Sequence, residues 1–199
     1  MYTVIGGVAS RTFRVLWMLE ELGADYEHRP ASPHAEEVTA HSASGKIPVL
    51  LDGDAALTDS TAILTYLADK HGALTYPAGS LERARQDAVT FAVLDELDSL
   101  LWTAARHSFV LPEDQRVPAV KESLKAEYAR NLARLTDRVA GPFVMGARMT
   151  VPDIVLTHCC NWAISAKFPD PDKRLAPYLS RMRARPAFGR ARALSKPVG

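Results

Sequence analysis

The residues best suited to chemistry lie between Ser44 and Leu67, in the segment SGKIPVLLDGDAALTDSTAILTYL. Pro48 lacks an amide hydrogen and interrupts a β-branched, apolar run, so it indicates a sheet edge where something else pairs with the backbone. If the Ile47–Pro48 bond is cis, the bend turns the carbonyl and amide of Ile47 outward. Asp59 and Ser60 open a helix whose N–H groups attract a carboxylate. Together these groups predict a site for a small extended peptide, held by its backbone and its acidic end.

The composition limits the classes of protein to consider. The chain has 199 residues, of which 47% are hydrophobic and 24% charged, so it can bury a sizeable core in one large domain or two small ones. A formal net charge of +1 gives no reason to expect nucleic acid as a partner, although residues 181–192 are locally basic. No apolar run is long enough to cross a bilayer, and the first residues lack the order of a signal peptide. Cys159 and Cys160 are adjacent, which disfavours a disulfide between them, so we expect a reducing, cytoplasmic location.

The elements that must position these residues alternate between strand and helix over the first 76 residues. The spacing of apolar residues predicts helices over Thr12–Leu22 and Ser60–His71, each ended by a glycine. Strands are predicted over 1–6 and 25–29, with a hairpin over 47–57 and a loop containing one helical turn over 30–44. The resulting βαβ–ββα order predicts a small α/β sandwich.

The segment Tyr76-Pro77-Ala78-Gly79 is a linker signal, and beyond it only helical patterns follow. Helices are predicted over 81–106 and 118–139, from residue 150, over 177–185, and from Pro186. We therefore expect two domains, an α/β domain over 1–76 and an all-helical domain over 82–199.

Five motifs in this order resemble the soluble, bacterial-type glutathione S-transferase family: SRTFRVLWMLEELGADYE, SGKIPVLL, LTDSTAILTYLADKHG, MTVPDIVL and RARPAFGRA. The resemblance covers nearly the whole chain. It implies a thioredoxin-like N-terminal domain that binds glutathione and an all-α C-terminal domain that helps to bind a second substrate. It also implies a homodimer.

The resemblance assigns roles to the residues of the first domain. Pro48 matches the family's cis-proline, and the Ile47 backbone would pair with the cysteinyl part of glutathione. Asp59 and Ser60 match the acidic-serine pair that holds the γ-glutamyl group, with Ser60 donating to its carboxylate and Asp59 accepting from its ammonium. Lys46 is placed to reach the glycyl carboxylate.

The group that activates the glutathione thiol is either Ser10 or Arg11. An ungapped comparison places the usual serine of several classes at Ala9, and a one-residue loop shift places it at Ser10. Ser10 also suits a helix N-cap, and Arg11 suits an ordinary solvated position in the first turn. The usual Asn-Pro of the next loop is Ser42-Ala43 here. No cysteine lies near the first helix, which argues against the cysteine-bearing class and against the maleylacetoacetate isomerase pattern.

The second half carries the other residues that the resemblance assigns. Trp102, Arg106 and Phe109 fall where the family lines its second-substrate pocket, and Arg106 suits an anionic substrate. Thr150 and Asp153 match a structural capping box. The histidines show no metal-ligand spacing, so no metal is expected.

These observations predict a glutathione transferase that adds the glutathione thiol to a small hydrophobic electrophile. Two alternatives stay open, a non-catalytic protein that binds glutathione or hydrophobic ligands in the same cleft, and a glutathione-dependent isomerase or reductase. The electrophile itself is not specified, because the residues that select it differ freely among proteins of one fold.

Overall fold

The computed structural model describes residues 1–171 and 173–195, and its contacts divide the chain into two compact units. The first unit comprises residues 1–78 together with the described residues from Arg181 onward, and the second comprises residues 79–180. The sequence interpretation assigned the whole of 82–199 to the helical domain. Residues 172 and 196–199 of that range lie outside the described residues.

The first unit is built on a mixed four-stranded sheet. Its strands are β1 (Tyr2–Ile5), β2 (Tyr26–Arg29), β3 (Val49–Asp52) and β4 (Ala55–Thr58), in the spatial order β2-β1-β3-β4. The β1–β2 pair is parallel, whereas β1–β3 and β3–β4 are antiparallel. This βαβ–ββα arrangement confirms the predicted thioredoxin-like fold.

Three helices accompany this sheet along the chain: α1 (Thr12–Leu22), α2 (Glu36–Thr39) and α3 (Ser60–His71). The predicted bounds of α1 and α3 are confirmed, and each helix ends at a glycine in the left-handed conformation, Gly23 and Gly72, both with φ of 61°. The short α2 is the single helical turn expected in the loop over 30–44.

The predicted position of Pro48 on a sheet edge is wrong. The strand that follows it, β3, lies between β1 and β4, and it begins only at Val49. Pro48 therefore lies at the end of a central strand, one residue outside the ladder, where no neighbouring strand needs its missing N–H.

The last helix of the described chain, α9 (Pro186–Ala193), packs on α1. Phe188 meets the rings of Phe13 and Trp17 edge-on, with centroid distances of 5.2 and 5.0 Å. Just before α9, Arg185 donates to both carboxylate oxygens of Glu21 at 2.6 Å. These long-range contacts, which sequence periodicity does not reveal, explain why the terminal segment groups with the first unit.

The second unit is helical, as predicted. It contains α4 (Leu81–Val93), α5 (Ser99–Ala105), α6 (Val120–Thr136), α7 (Val151–Ser165) and the start of α8 (Ala176–Arg183). π-helical turns over Leu94–Asp98 and Arg106–Val110 follow α4 and α5, so the predicted helix over 81–106 contains a wider turn. The cysteines at 159 and 160, on α7, are free and fully buried.

Two findings concern membranes and metals. Among the helices of the described residues, none combines the length and apolar character needed to cross a membrane. Within residues 1–171 and 173–195, no group of three His, Cys, Asp or Glu side chains is arranged to hold a metal ion.

Candidate functional site

The predicted ligand-binding residues of the first unit meet at one end of the sheet. The last ladder pairs at this end are Ile5 with Val49 and Val49 with Thr58. Gly6, Pro48 and Asp59 are the next residues beyond these pairs, so all three lie at this end of the sheet. Because β1 leads into α1 and β4 leads into α3, both helices begin from this same end. The positive ends of two helix dipoles therefore flank the Ile47–Pro48 segment.

Gly6 lies close to both the Ile47–Pro48 segment and the start of α1. The Ile47–Pro48 peptide bond is cis, Pro48 is buried and Ile47 is half-buried. A Cβ added to Gly6 would lie 2.3 Å from Thr12 Oγ1 and 3.0 Å from Ile47 Cβ, and Gly6 has a φ of 141°. Only glycine permits both this conformation and this approach, so Gly6 fits between Thr12 at the start of α1 and Ile47.

Asp59 holds the start of α3 in an unusual backbone conformation. Its φ of 67° and ψ of 120° are rare for a residue with a side chain, at a cost of about 1–3 kcal/mol that the surrounding structure must offset. Its Oδ1 accepts hydrogen bonds from the amides of Thr61 at 2.9 Å and Ala62 at 3.0 Å. Asp59 is therefore the N-cap of α3. Its exposed carboxylate places a negative charge at this end of the sheet.

Ser60 is the first residue of α3 and is only 3% exposed. Its Oγ accepts a hydrogen bond from Nη1 of Arg14 at 3.3 Å. Arg14 lies on α1 and is completely buried. A buried guanidinium thus forms a hydrogen bond with the hydroxyl that the sequence predicts to bind a carboxylate.

Ser10 closes the turn that leads into α1. Its Oγ accepts from the amide of Thr12 at 3.1 Å, and it lies within donating distance of Gly7 O at 2.7 Å and Thr12 Oγ1 at 2.9 Å. A hydroxyl has one hydrogen, so donation to a ligand thiolate requires Ser10 to release these acceptors. The geometry suits the capping interpretation of Ser10, and its half-buried position at the start of α1 also suits the activating one. Arg11 follows as the half-buried N-cap residue of α1.

The other predicted ligand residues lie further out or on the second unit. Lys46 is exposed, two residues before Pro48, and its amide donates to Ser44 Oγ at 3.4 Å. On the second unit, Trp102 is half-buried in α5. Arg106 is exposed, and Phe109 is 70% exposed in the π-helical turn after α5.

Thr150 and Asp153 form a capping box at the start of α7. The Asp153 side chain is fully buried and accepts from the Val144 and Thr150 amides, both at 2.8 Å. The Thr150 hydroxyl at 3.2 Å and the Tyr178 hydroxyl at 3.1 Å complete the set. Burial raises the pKa of the Asp153 carboxyl, against the opposing effect of these donors.

Sequence reasoning missed three residues of the sheet end: Gly6, Thr12 and Arg14. Arg14 gave a signal, because it is a charged residue inside the apolar run FRVLWML, but its partner is 46 residues away along the chain. Gly6 and Thr12 gave no signal, because their contacts with each other and with Ile47 depend on how the sheet end closes.

Comparison with known proteins agrees with this architecture. Residues 9–75 match the family model described as the N-terminal domain of glutathione S-transferase. A zeta-class glutathione S-transferase of Euphorbia esula is 28% identical over 170 residues, which cover 79% of this chain and 73% of that protein.

Two solved structures resemble the whole described fold. A glutathione transferase from Methylococcus capsulatus is 25% identical with a TM-score of 0.83, and the match covers 98% of both chains. The theta-class glutathione S-transferase of Xanthomonas axonopodis pv. citri, solved with glutathione bound, is 26% identical with a TM-score of 0.79 and 96% coverage of both chains.

The fold and the sheet-end site define a thioredoxin-like protein with an appended helical unit. Its first unit matches the N-terminal domain of glutathione S-transferases, and the relatives and solved structures named above are described as members of that family. This similarity supports a function of the glutathione transferase type, and the matched range includes all the ligand residues predicted in the first unit.

Proposed function

We propose that this protein binds glutathione at the sheet end of its first unit and conjugates the thiol to a small hydrophobic electrophile. The observation that carries the proposal is that the ladder pairs Ile5–Val49 and Val49–Thr58 end together, which places Pro48 and Asp59 at the same end of the sheet, next to the first turn of α3. The glutathione-bound relative from Xanthomonas, similar along nearly its whole length, supports the same ligand.

Each part of glutathione has a complementary group at this end. The α-carboxylate of the γ-glutamyl group binds the Ser60 hydroxyl and the N-terminal amides of α3, and its ammonium binds the exposed Asp59 carboxylate. The backbone of Ile47 pairs with the cysteinyl part, as a short β-addition. Lys46 is exposed, and its long side chain binds the glycyl carboxylate.

Catalysis requires a thiolate at neutral pH. An ordinary thiol has a pKa of about 8.5, and lowering it by two units takes about 2.7 kcal/mol of preferential thiolate stabilisation. The start of α1 supplies a helix dipole, the Ser10 hydroxyl and the Arg11 charge, each of which favours the thiolate. Holding thiol and electrophile together then supplies the remaining rate enhancement.

The second substrate, assembly and location belong to the same proposal. Trp102, Arg106 and Phe109 contribute to the electrophile site, and Arg106 favours substrates that carry a negative charge. We further propose a homodimer and a cytoplasmic location. The reduced, fully buried cysteines of α7 are consistent with that location.

A non-catalytic binding protein is the second candidate function. It is favoured by the hydrogen bonds of Ser10 to Gly7 and Thr12, which occupy the hydroxyl that catalysis would use. Such a protein would bind glutathione with ordinary affinity and leave the pKa of its thiol unchanged.

Calorimetric titration with reduced glutathione tests the binding half of the proposal. Saturable binding at one site per subunit supports it, whereas absence of binding refutes the transferase and any glutathione carrier and leaves a carrier of hydrophobic ligands. Thiolate absorbance of bound glutathione against pH then separates the two: a pKa near 6.5 supports a transferase, since it is about two units below the free value, and a pKa near 8.5 supports a carrier.

The variant Ser10→Ala identifies the activating group. If Ser10 donates to the thiolate, the variant raises the bound thiol pKa and slows conjugation while the dissociation constant of glutathione stays nearly unchanged. Full activity across the pH range would instead assign activation to Arg11 or to a backbone amide. Release of oxidised or regenerated glutathione in place of a conjugate would identify a reductase or an isomerase.

A further inference from the structure

His28 joins β2 to the loop that carries both candidates for thiol activation. Gly6 is the residue that follows β1, and its carbonyl oxygen lies 2.9 Å from Nε2 of His28. A carbonyl oxygen only accepts, so Nε2 carries the hydrogen, as it does in the neutral Nε2–H tautomer and in the imidazolium alike. The amide of Gly6 also donates to Arg29 O at 3.0 Å. β2 therefore holds the buried Gly6 twice, once through its backbone and once through the His28 side chain.

His28 reaches Gly6 from the face of β2 that contacts α1. Alternate residues of a strand share one face, so Tyr26 and His28, both half-buried, lie on the same side. The Tyr26 hydroxyl donates to Glu20 Oε1, near the end of α1, at 2.7 Å. His28 lies two residues further along β2, toward the end of the sheet at which α1 begins, and its ring there meets Gly6.

The loop between Gly6 and α1 is held at both of its ends. At the far end, the Thr12 amide donates to Ser10 Oγ at 3.1 Å, which ties Ser10 to the first turn of α1. At the near end, Ser10 Oγ lies 2.7 Å from the carbonyl oxygen of Gly7. Because a peptide group is planar, fixing the Gly6 carbonyl also fixes the plane of the peptide that leads into Gly7. The hydrogen bond from His28 therefore limits where the Gly7 carbonyl, and with it Ser10, can lie.

We propose that His28 is a positioning residue for thiol activation, which acts by holding the loop over 6–11 through the Gly6 carbonyl. The inference rests on the proposed function, and it deepens it by naming a residue of β2 that determines how well this loop stabilises the thiolate. Donors stabilise a developing charge most when they are held in place beforehand. The loop sequence GGVAS begins with two glycines and is easily rearranged without such a restraint.

Two variants of similar size separate the hydrogen bond from the packing of the ring. The side-chain amide nitrogen of Gln reaches the position of Nε2 and donates to Gly6, whereas Met fills similar space and has no donor. With His28→Met, we expect the thiol pKa of bound glutathione, followed by thiolate absorbance against pH, to rise by about one pH unit. With His28→Gln, it should stay at the wild-type value. The dissociation constant of glutathione should change less than about twofold in both variants at about pH 5, where the thiol stays protonated.

Tyr26→Phe is the matched control. It removes a half-buried hydrogen bond to α1 from the same face of the same strand. It should lower the stability of the protein and leave the thiol pKa of bound glutathione unchanged, because its partner Glu20 lies near the other end of α1. If His28→Met does not fold, His28→Asn keeps a polar side chain that is too short to reach Gly6, and it should raise the thiol pKa in the same way.

Equal thiol pKa values in His28→Met and His28→Gln would overturn the inference and leave the proposed function intact. The same conclusion follows if Tyr26→Phe raises the thiol pKa as much as His28→Met does, since any lost contact with α1 would then have the same effect. A wild-type protein that does not bind glutathione, or that leaves its thiol pKa at about 8.5, would overturn the proposed function and the inference with it.

Discussion

Replacing Asp153 by Asn should lower the free energy of unfolding by about 3 kcal/mol. Each carboxylate oxygen of Asp153 accepts from one buried backbone amide, Oδ1 from Val144 and Oδ2 from Thr150. An Asn side chain has one oxygen, so in either orientation of the amide one of these N–H groups faces a second donor. An unsatisfied buried N–H costs about 1–3 kcal/mol, and the remaining bonds lose their charge-assisted strength.

Urea denaturation followed by tryptophan fluorescence measures the change, with circular dichroism as a second probe for two-state behaviour. For a chain of this size, 3 kcal/mol corresponds to a melting temperature about 6–12 °C lower. The control is Glu82→Gln, which removes an exposed carboxylate from the first turn of α4 and should cost less than about 0.5 kcal/mol. Equal stability of the two variants would refute the role of Asp153 as the shared acceptor of two buried amides.

Three further perturbations test the sheet end and its surroundings. Asp59→Asn should leave the stability of α3 unchanged, since Asn caps helices as well as Asp does. It should weaken glutathione binding about tenfold, because the ligand ammonium loses its carboxylate partner, and unchanged affinity in a titration would contradict this. Gly6→Ala should lower the free energy of unfolding in urea by about 2 kcal/mol more than Gly53→Ala does. Both glycines have positive φ, but of the two only a Cβ on Gly6 would meet neighbouring atoms, so equal losses would contradict the close approach at Gly6. Hydrogen bonds from Lys70 and Tyr66 lower the pKa of Asp52, so its stabilising contribution is present above its unfolded pKa and is lost as pH falls through the folded value. The stability difference between the wild-type protein and Asp52→Asn should therefore shrink below about pH 4, and a pH-independent difference would exclude this linkage.

The helices were predictable wherever local chemistry sets their ends. The bounds of α1 and α3 follow from apolar spacing and a terminal glycine, both of which are short-range properties of the chain. The motif at Thr150 and Asp153 was visible for the same reason, since a capping box spans only four residues. The central position of the strand after Pro48 was not visible, because strand order depends on pairings between distant segments.

The sequence by itself determined the helices, the linker and the residue types of the ligand site, because each depends on neighbours within a turn or two of chain. Tertiary structure alone decided that the C-terminal helix α9 packs on α1, since Phe188 and Arg185 meet partners more than 160 residues away. It also decided that Arg14 donates a hydrogen bond to Ser60 and that Gly6 lies close to both Thr12 and Ile47. Those contacts form only when the sheet and helices close around one core, so the sequence names the groups of the site and the fold fixes how they are oriented.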